Sequence, residues 1–454
     1  MSDRRDTRQG AASPSSSAAV TTTATAADEE RLVADALATL HANGAESDRT
    51  RARAAQLSAA LGRSVTVDLG WNRSTITIGP RRIDVDSGGG TARESDPDDG
   101  VALVRRSAPS ALGMNRVLGV DRAIDGLSDR TLTLDAASAA VRGAAALRPA
   151  NLLLFTAACV VGACCLAIIF GVSRWEPLAV IAVSAGVGAV LRRGLAAWGA
   201  SNFWQVGLAA LVAGVLGSLA VDVGFSSDLR LAVVCPCMIL VPGPHILNGS
   251  FDLAALRLPL GLSRLTFATV TLLSIGAGLI VGLAAGGADL VPDPAGREIP
   301  VLLDAVAAGV VAVCYGVFYS APLRILYWPL LVGAAVHALR WVALTVWQWE
   351  SWLAAGLACL VAGAVLVPIS TRFRVPFAAV GFASVVSLMP GVIIFRALDG
   401  LAALSSVTGP DAAQLLVQTV DNANEAWLTV FAMTLGLLVP VSLYAHLERR
   451  RVRS

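Results

Sequence analysis

The sequence contains no lysine, so all 35 basic residues are arginine. Complete use of one basic residue type is typical of a composition bias of the genome and does not indicate a binding surface. With 33 acidic residues the formal net charge is only +2, which says little about partners. The strong positive balance of many nucleic-acid-binding proteins is missing, and we expect no nucleic-acid partner.

Charged residues of either sign are scarce, at 15% of the chain, whereas 55% of the residues are hydrophobic and the mean hydropathy is +0.66. Such a composition excludes an ordinary soluble protein and is typical of a polytopic membrane protein. The first 148 residues contain no apolar run long enough to span a bilayer. Almost all of the sequence after Asn151, in contrast, belongs to such runs. The sequence therefore predicts a soluble domain followed by a membrane domain.

Metal-ligand patterns are also missing. All seven cysteines lie in apolar segments, and no His or carboxylate stands at ligand spacing from Cys235 or Cys237. Metal binding by this pair remains the alternative, but small buried hydrophobic side chains are the usual role of such cysteines. We expect no metal site and no cofactor.

The first 148 residues divide into a tail and a domain. Residues 1–28 are rich in Ser, Ala and Thr and are predicted to be disordered. Residues 29–148 are predicted to form a small soluble α+β domain, with helices over 29–42, 48–61, 115–127 and 135–147 and strands over 64–69, 74–78 and 101–105. No nucleophile elbow or phosphate loop occurs in it. We expect a regulatory or gating role and no enzyme activity.

The apolar runs after residue 150 have the length of membrane-spanning helices. We predict ten spans, near residues 152–172, 177–198, 203–224, 229–248, 264–286, 300–322, 325–344, 352–369, 376–398 and 426–446. If the N-terminus is cytoplasmic, most arginines of the loops between the spans lie on the inside, which is the bias expected of membrane proteins. These inside arginines are Arg192, Arg193, Arg257, Arg264, Arg324, Arg372 and Arg374. Both termini are therefore predicted to be cytoplasmic.

The fourth predicted span is interrupted by Pro242, Gly243 and Pro244. Two prolines and a glycine cannot continue a regular helix, and interrupted helices mark substrate sites in secondary transporters. The polar residues that follow, His245, Asn248 and Asp252, complete the first candidate transport site. For each of them a structural role is the alternative: a hydrogen-bonded His, a helix cap and a charge at a helix end.

A second break lies 148 residues further on, where Pro390 and Gly391 match Pro242 and Gly243. At the same offset 253–256 and 401–404 are both Leu-Ala-Ala-Leu. Residues 149–297 and 298–454, the latter with a basic C-terminal tail, are therefore predicted to be five-helix repeats. Because five is odd, the second repeat is inverted. Arg396, six residues after Pro390, is a candidate partner of a carboxylate, with snorkelling to the interface as the alternative.

These residues resemble the threonine/serine exporter family of bacterial inner membranes. The resemblance covers about residues 29–446 and rests on "HANGAESDRTRARAAQLSAALG", "LVPGPHILNGSFDLAALRLPLGLSRL" and "SLMPGVIIFRAL". It implies a multi-pass protein of the inner membrane that exports threonine, serine or related small solutes, driven by the proton-motive force. The resemblance also implies a hydrolase-like label that is sometimes given to the soluble domain, but the residues here do not support it.

Three functions follow as hypotheses. The first is a proton-coupled exporter of small polar amino acids, in contact with the lipid bilayer and with self-association left open. The alternatives are a membrane-anchored sensor and a membrane hydrolase, each acting through the soluble domain. Two mirrored broken helices favour the exporter. Asp304, early in the sixth span, is a candidate proton carrier, with a position near the outer surface as the alternative.

Overall fold

The computed structural model describes residues 25–81, 100–222, 229–285 and 299–453. Most of the tail predicted to be disordered lies outside these residues. The same is true of most of the Gly- and Asp-rich loop before residue 100, the end of the third predicted span, and the loop that follows the fifth.

The N-terminal region, residues 26–145, contains four helices and one three-stranded antiparallel sheet in the order β1-β2-β3. Its elements are α1 Ala26–Ala42, α2 Ser47–Leu61, β1 Arg63–Leu69, β2 Arg73–Arg81, β3 Val101–Arg106, α3 Met114–Ser128 and α4 Leu134–Ala145. Each lies within three residues of an element predicted from the sequence. The secondary structure of this region was therefore predicted correctly.

Local sequence explains these elements. Thr25 caps α1, because its hydroxyl accepts from the Asp28 N–H and the Asp28 carboxylate accepts from the Thr25 N–H. The helix thus begins at Ala26, inside the segment predicted to be disordered. Strand β1 alternates buried and exposed residues, with Val65 and Val67 facing the helices. Val65 pairs with Ile78 of β2, which is fully buried.

Twelve further helices follow in the described residues. They are α5 Leu152–Ile169, α6 Trp175–Ala197, α7 Asn202–Asp222, α8 Leu229–Met238, α9 Gly243–Ala254, α10 Leu258–Ala284, α11 Val301–Phe318, α12 Tyr327–Thr345, α13 Ser351–Arg372, α14 Ala378–Leu388, α15 Gly391–Ala403 and α16 Pro410–Arg453. Helix α14 is irregular, with a π-helical turn over Ala378–Phe382 and a 3-10 turn over Val386–Leu388.

Eight of these helices are long and apolar enough to cross a membrane, and the bent pair α14–α15 makes nine. The chain is therefore a polytopic helical membrane protein. Helices α8 and α9 are each too short to count, so the predicted total of ten depends on that pair forming one span and stays a prediction. Several boundaries were wrong. Helix α10 begins at Leu258 and not near 264, and α9 and α15 end at Ala254 and Ala403 and not near 248 and 398. Helix α16 begins at Pro410 and not near 426, because its polar first half contains no helix breaker.

Glycines allow two pairs of helices to cross closely. Helix α7 packs on α10, where a Cβ on Gly214 would lie 2.6 Å from the Leu279 carbonyl oxygen. Helix α13 packs on α16, where a Cβ on Gly436 would lie 2.9 Å from Cys359 Cβ. Small residues permit such backbone contact between membrane helices, where dispersion and not the hydrophobic effect favours association.

The N-terminal region packs against one end of the helices. The Met114 N–H donates to the Tyr319 carbonyl at 2.9 Å, and the Asn115 N–H donates to that of Ser320 at 3.1 Å. On another side, Arg374 Nη1 lies 2.6 Å from Asp129 Oδ2. The region therefore covers the helix ends at which α11 finishes and α14 begins.

Candidate functional site

The first helix break lies where the prolines predict it. Helix α8 ends at Met238, and the Gly243 N–H donates to the Val241 carbonyl at 2.8 Å across Pro242. Pro242 has φ −79° and ψ 52°, outside the helical region, and the Ile246 N–H returns to its carbonyl at 3.2 Å. Helix α9 then begins at Gly243. The interruption is thus a tight three-residue turn centred on Pro242.

The second break has the same construction. The Gly391 N–H donates to the Met389 carbonyl at 2.8 Å across Pro390, whose φ is −78° and ψ 49°. Helix α15 begins at Gly391, and the Ile394 N–H donates to the Pro390 carbonyl at 2.9 Å. Helices α14 and α15 are bent by 56° at this point. Both Pro-Gly pairs thus end one half-helix and begin the next.

The two breaks contact each other in a reciprocal way. A Cβ on Gly243 would lie 3.3 Å from Val386 Cγ2, which belongs to the second break. A Cβ on Gly391 would lie 3.5 Å from Val241 Cγ2, which belongs to the first. Both Pro-Gly pairs are buried. The four predicted break residues therefore lie together inside the protein.

Asp252 lies on α9 between two arginines. Its Oδ1 accepts from Arg257 Nη1 at 3.0 Å, and its Oδ2 lies 3.1 Å from Nη1 of Arg264. Asp252 and Arg264 are each 1% exposed. Arg257 also pairs with Asp48 at the start of α2. Asp252 therefore holds two cations where α9 meets α10, one of which is tied to the N-terminal region.

Asn248, one turn before Asp252, also faces the N-terminal region. Its side-chain N–H donates to the Gly44 carbonyl at 3.4 Å. Its buried side-chain oxygen has no hydrogen-bond partner among the described residues. This oxygen is an open acceptor beside the first break.

His245 lies in an aromatic group close to the first break. Its ring meets that of Phe267 edge-on, with centroids 4.8 Å apart. Phe267 in turn contacts Trp71 of the N-terminal region, at 5.1 Å, and Phe203 of α7, at 5.6 Å. The ring of Phe267 therefore connects His245 of the broken helix with Trp71 of the N-terminal region.

A cavity of about 720 Å³ opens beside this aromatic group. Pro242, Pro244 and His245 line it from the first break, and Arg192 and Arg193 line it from α6. The other lining residues include Asn43, Leu112, Asn115, Arg116, Phe155, Gln205, Thr271 and Phe318, but no Asp or Glu. The positive charge of the three arginines favours an anionic group inside the cavity.

The two arginines of α6 differ in their partners. Arg193 donates through Nη2 to the Ala150 carbonyl at 2.9 Å, and its guanidinium carbon lies 4.2 Å from the centre of the Phe155 ring. Arg192 lies 5.0 Å from the Phe318 ring centre, and its Nε and Nη1 have no hydrogen-bond partner among the described residues. Arg192 thus has donors available for a ligand.

On the side of the N-terminal region, Glu46 lies at the contact between α2 and α14. The Ala378 N–H donates to its carboxylate. Burial raises the pKa of Glu46 to about 7, although the positive charge of Arg49 acts in the opposite direction. Burial, with a smaller contribution from Arg264, lowers the pKa of His41 to about 4, and its Nε2 lies 3.1 Å from the Gly70 carbonyl.

The structure thus brings together most of the residues predicted from the sequence. Pro242, Gly243, Pro390 and Gly391 form the facing breaks, Asn248 and Asp252 lie on α9 beside them, and His245 lines the cavity. Arg396 is half-buried on α15. Sequence reasoning treated Arg192 and Arg264 as residues at span ends and missed Glu46. Among the described residues no three His, Cys, Asp or Glu side chains form a group that could hold a metal.

Two family models match the chain. Residues 31–286 match one described as a threonine/serine exporter, and residues 304–443 match a second with the same description. The chain belongs to the threonine/serine exporter family. No solved structure matches it.

Membership confirms the resemblance seen in the sequence. Exporters of this family are transporters and not enzymes, so the chain is a membrane exporter of the threonine/serine type and the prediction of no enzyme activity is confirmed. A small-molecule substrate and the lipid bilayer are accordingly its partners.

Proposed function

We propose that this exporter is a secondary transporter that moves threonine, serine or related small polar amino acids out of the bacterial cytoplasm, driven by the proton-motive force. The observation that carries the proposal is the reciprocal contact of the two Pro-Gly breaks. Rocking of one half of the protein against the other would expose a site between them to each side in turn.

The proposed halves are residues 149–297 and 298–454, arranged as inverted repeats of five spans each. Support comes from the backbone angles at Pro242 and Pro390, which agree within 3°. It also comes from the helix crossings, because α7 packs on α10 in the first half and α13 packs on α16 in the second. In this arrangement the α8–α9 pair corresponds to the α14–α15 pair and is the tenth span.

The proposed topology places both termini and the domain of residues 29–148 in the cytoplasm, with the spans in the inner membrane. The N-terminal region contacts Arg257 and Arg374, two of the arginines whose loops the charge bias assigns to the inside. A region docked at these helix ends is on the same side as the loops it contacts. Self-association of the exporter is left open.

The cavity beside the first break is the proposed cytoplasmic entry for substrate. Arg192, with donors available, would bind the carboxylate of an amino acid, as planar guanidinium groups commonly do. The positive N-terminal end of α9 at Gly243 would favour the same anionic group. Since no carboxylate lines the cavity, the ammonium group would meet uncharged oxygens such as those of Asn43, Asn115 and Gln205.

The N-terminal region covers this entry, which supports a gating role. It supplies Asn43, Leu112 and Arg116 to the cavity wall and contacts α9 through Gly44. A sensor that regulates export through the same contact is the second candidate for this region. Deletion of residues 1–148 distinguishes a gate from a sensor. If the region is a gate, transport continues in altered form after the deletion. If it is a sensor, the deletion removes the response of transport to the ligand.

Counterflow of labelled threonine and serine in proteoliposomes tests the proposed function. We expect exchange without a pH gradient, and accumulation against the concentration gradient when a pH gradient is imposed and no protonophore is present. Protein-free liposomes are the control. Uptake no faster than in these liposomes would contradict the substrate, and exchange that does not respond to the pH gradient would contradict the proton coupling.

A further inference from the structure

A second ionisable cluster lies in the other half of the protein, away from the cavity. Asp304 in the first turn of α11 and His337 in the middle of α12 are 4% and 1% exposed. His337 Nδ1 lies 2.5 Å from Asp304 Oδ2. Ionisable side chains inside membrane helices are costly and usually mark ion or proton pathways.

One further charged side chain interacts with this pair. Arg340, one turn after His337 on α12, interacts electrostatically with both Asp304 and Glu425 of α16. Its Nη2 donates to Ser351 Oγ at 3.3 Å. Helices α5 and α14, which also pack on α11, contribute no carboxylate, arginine or histidine. His337 Nε2 is buried with no hydrogen-bond partner among the described residues.

The pair lies far from the N-terminal region. Asp304 precedes Phe318, at the end of α11 next to that region, by 14 residues, or about 21 Å at the rise of an α-helix. His337 follows Tyr327 at the start of α12 by ten residues, or about 15 Å. The pair is therefore on the outer side of the middle of these helices, opposite the proposed cytoplasmic entry.

Helix α12 links the pair to the second break. Gly333 lies one turn before His337, at a close contact of three helices. A Cβ on Gly333 would lie 3.4 Å from the Ser384 carbonyl oxygen of α14 and 2.9 Å from Ala312 Cβ of α11. Helix α12 therefore contacts α11 and the broken helix α14 at the same point, one turn from His337.

We propose that Asp304 and His337 together bind the proton that couples export to the proton-motive force, an inference that rests on the proposed function. With one proton shared by the two side chains the pair is neutral, and without it the pair carries one negative charge. A proton from the outside binds to the pair, moves with the second half, and leaves to the cytoplasm as substrate moves outward.

Two neutral variants separate coupling from substrate passage. Asp304→Asn and His337→Asn keep the approximate shape of each side chain but cannot carry a proton. Each is measured in proteoliposomes by labelled-threonine exchange without a pH gradient and by accumulation with one. A pH-sensitive dye inside the vesicles reports substrate-driven proton movement. Asp411→Asn and His446→Asn, at exposed positions of α16, are the matched controls.

The expected result is loss of pH-driven accumulation and of substrate-driven proton movement in both variants, with exchange retained and the controls unchanged. Retained accumulation in either variant would overturn the proposed pair and leave the proposed function standing. Loss of exchange to the same degree as accumulation would also overturn it, because the pair would then serve structure or substrate passage. Absence of exchange in the unmodified protein would instead refute the proposed function.

Discussion

Asp252 lies between Arg257 and Arg264 at the junction of α9 and α10. The change Asp252→Asn keeps the shape of the side chain and leaves Arg264, 1% exposed, without its counter-ion. Removing one partner of a buried pair commonly costs about 3–5 kcal/mol. We therefore expect a strongly reduced efflux rate, measured as labelled-threonine export, while the protein still inserts into the membrane.

The control for this variant is Asp411→Asn, which makes the same chemical change at an exposed position of α16. The amount of each protein in the membrane is measured alongside transport. Efflux by Asp252→Asn at the rate of the unmodified protein would remove Asp252 from the mechanism.

Arg192 tests how the cavity recognises its substrate. Its unpaired donors predict a hydrogen bond to the substrate carboxylate, and a charged hydrogen bond contributes about 1.5–3 kcal/mol. The change Arg192→Gln should therefore raise KM for threonine about tenfold or more, with a smaller effect on kcat. Arg142→Gln, on the exposed face of α4, is the matched control. An unchanged KM would show that Arg192 does not contact the substrate.

Single residues show where sequence reasoning stops. Arg264 interrupts the apolar run, so the fifth span was predicted to start only at this residue. In the structure only Ala255, Leu256 and Arg257 separate α9 from α10, and Arg264 comes two turns inside the helix. Its counter-ion Asp252 is on another helix, which a window along one segment does not detect. His337 had a detectable signal, since it is an ionisable residue inside a predicted span.

At the scale of elements, the two breaks and their facing arrangement were expected from the sequence, but the side chains that meet there were not. Pro242 and Pro390 each remove a backbone donor, so the chain cannot continue a regular helix whatever surrounds it. The reciprocal packing of Gly243 on Val386 and Gly391 on Val241 depends on how α8 and α14 cross. The inverted repeat led to the expectation that the two breaks face each other, but it does not say which side chains are in contact.

Docking of α2 on α14 should depend on pH through Glu46. When the N-terminal region is undocked this carboxyl is solvated, with an ordinary pKa of 4.5, and docking raises the pKa to about 7. The docked state therefore binds more protons between these values, and docking weakens as the pH rises from about 4.5 to 7 and is constant above. Hydrogen exchange of the α2 amides at pH 5 and pH 8 measures the difference.

The change Glu46→Gln imitates the protonated carboxyl at every pH. It should give slow α2 exchange at both pH values once the intrinsic dependence of exchange on pH is removed. Glu350→Gln, at an exposed position before α13, is the matched control and should keep the difference. The same difference in Glu46→Gln would assign the pH dependence to another group.

At the scale of the whole molecule, the composition and the spacing of apolar residues were sufficient to predict the class of fold. The change in hydropathy near Asn151 separated the N-terminal region from the helices, and alternation along 64–69 and 74–78 predicted the paired strands. The position of the N-terminal region over the first break could not be predicted in this way. It depends on single long-range contacts such as Arg257 with Asp48 and Asn248 with Gly44.

The central claim is that the two Pro-Gly breaks face each other and move apart during transport. A disulfide between Gly243→Cys and Val386→Cys tests it directly, because Cβ atoms in a disulfide lie about 3.5–4.5 Å apart and a Cβ on Gly243 would lie 3.3 Å from Val386 Cγ2. The pair is made in a background that lacks the seven native cysteines and still exchanges threonine.

Oxidation should form the disulfide, measured as loss of thiol labelling, and stop labelled-threonine exchange, and a reductant should restore the exchange. Each single-cysteine variant treated with the same oxidant should keep exchanging. Failure of the disulfide to form, or exchange that continues unchanged once it has formed, would contradict the account.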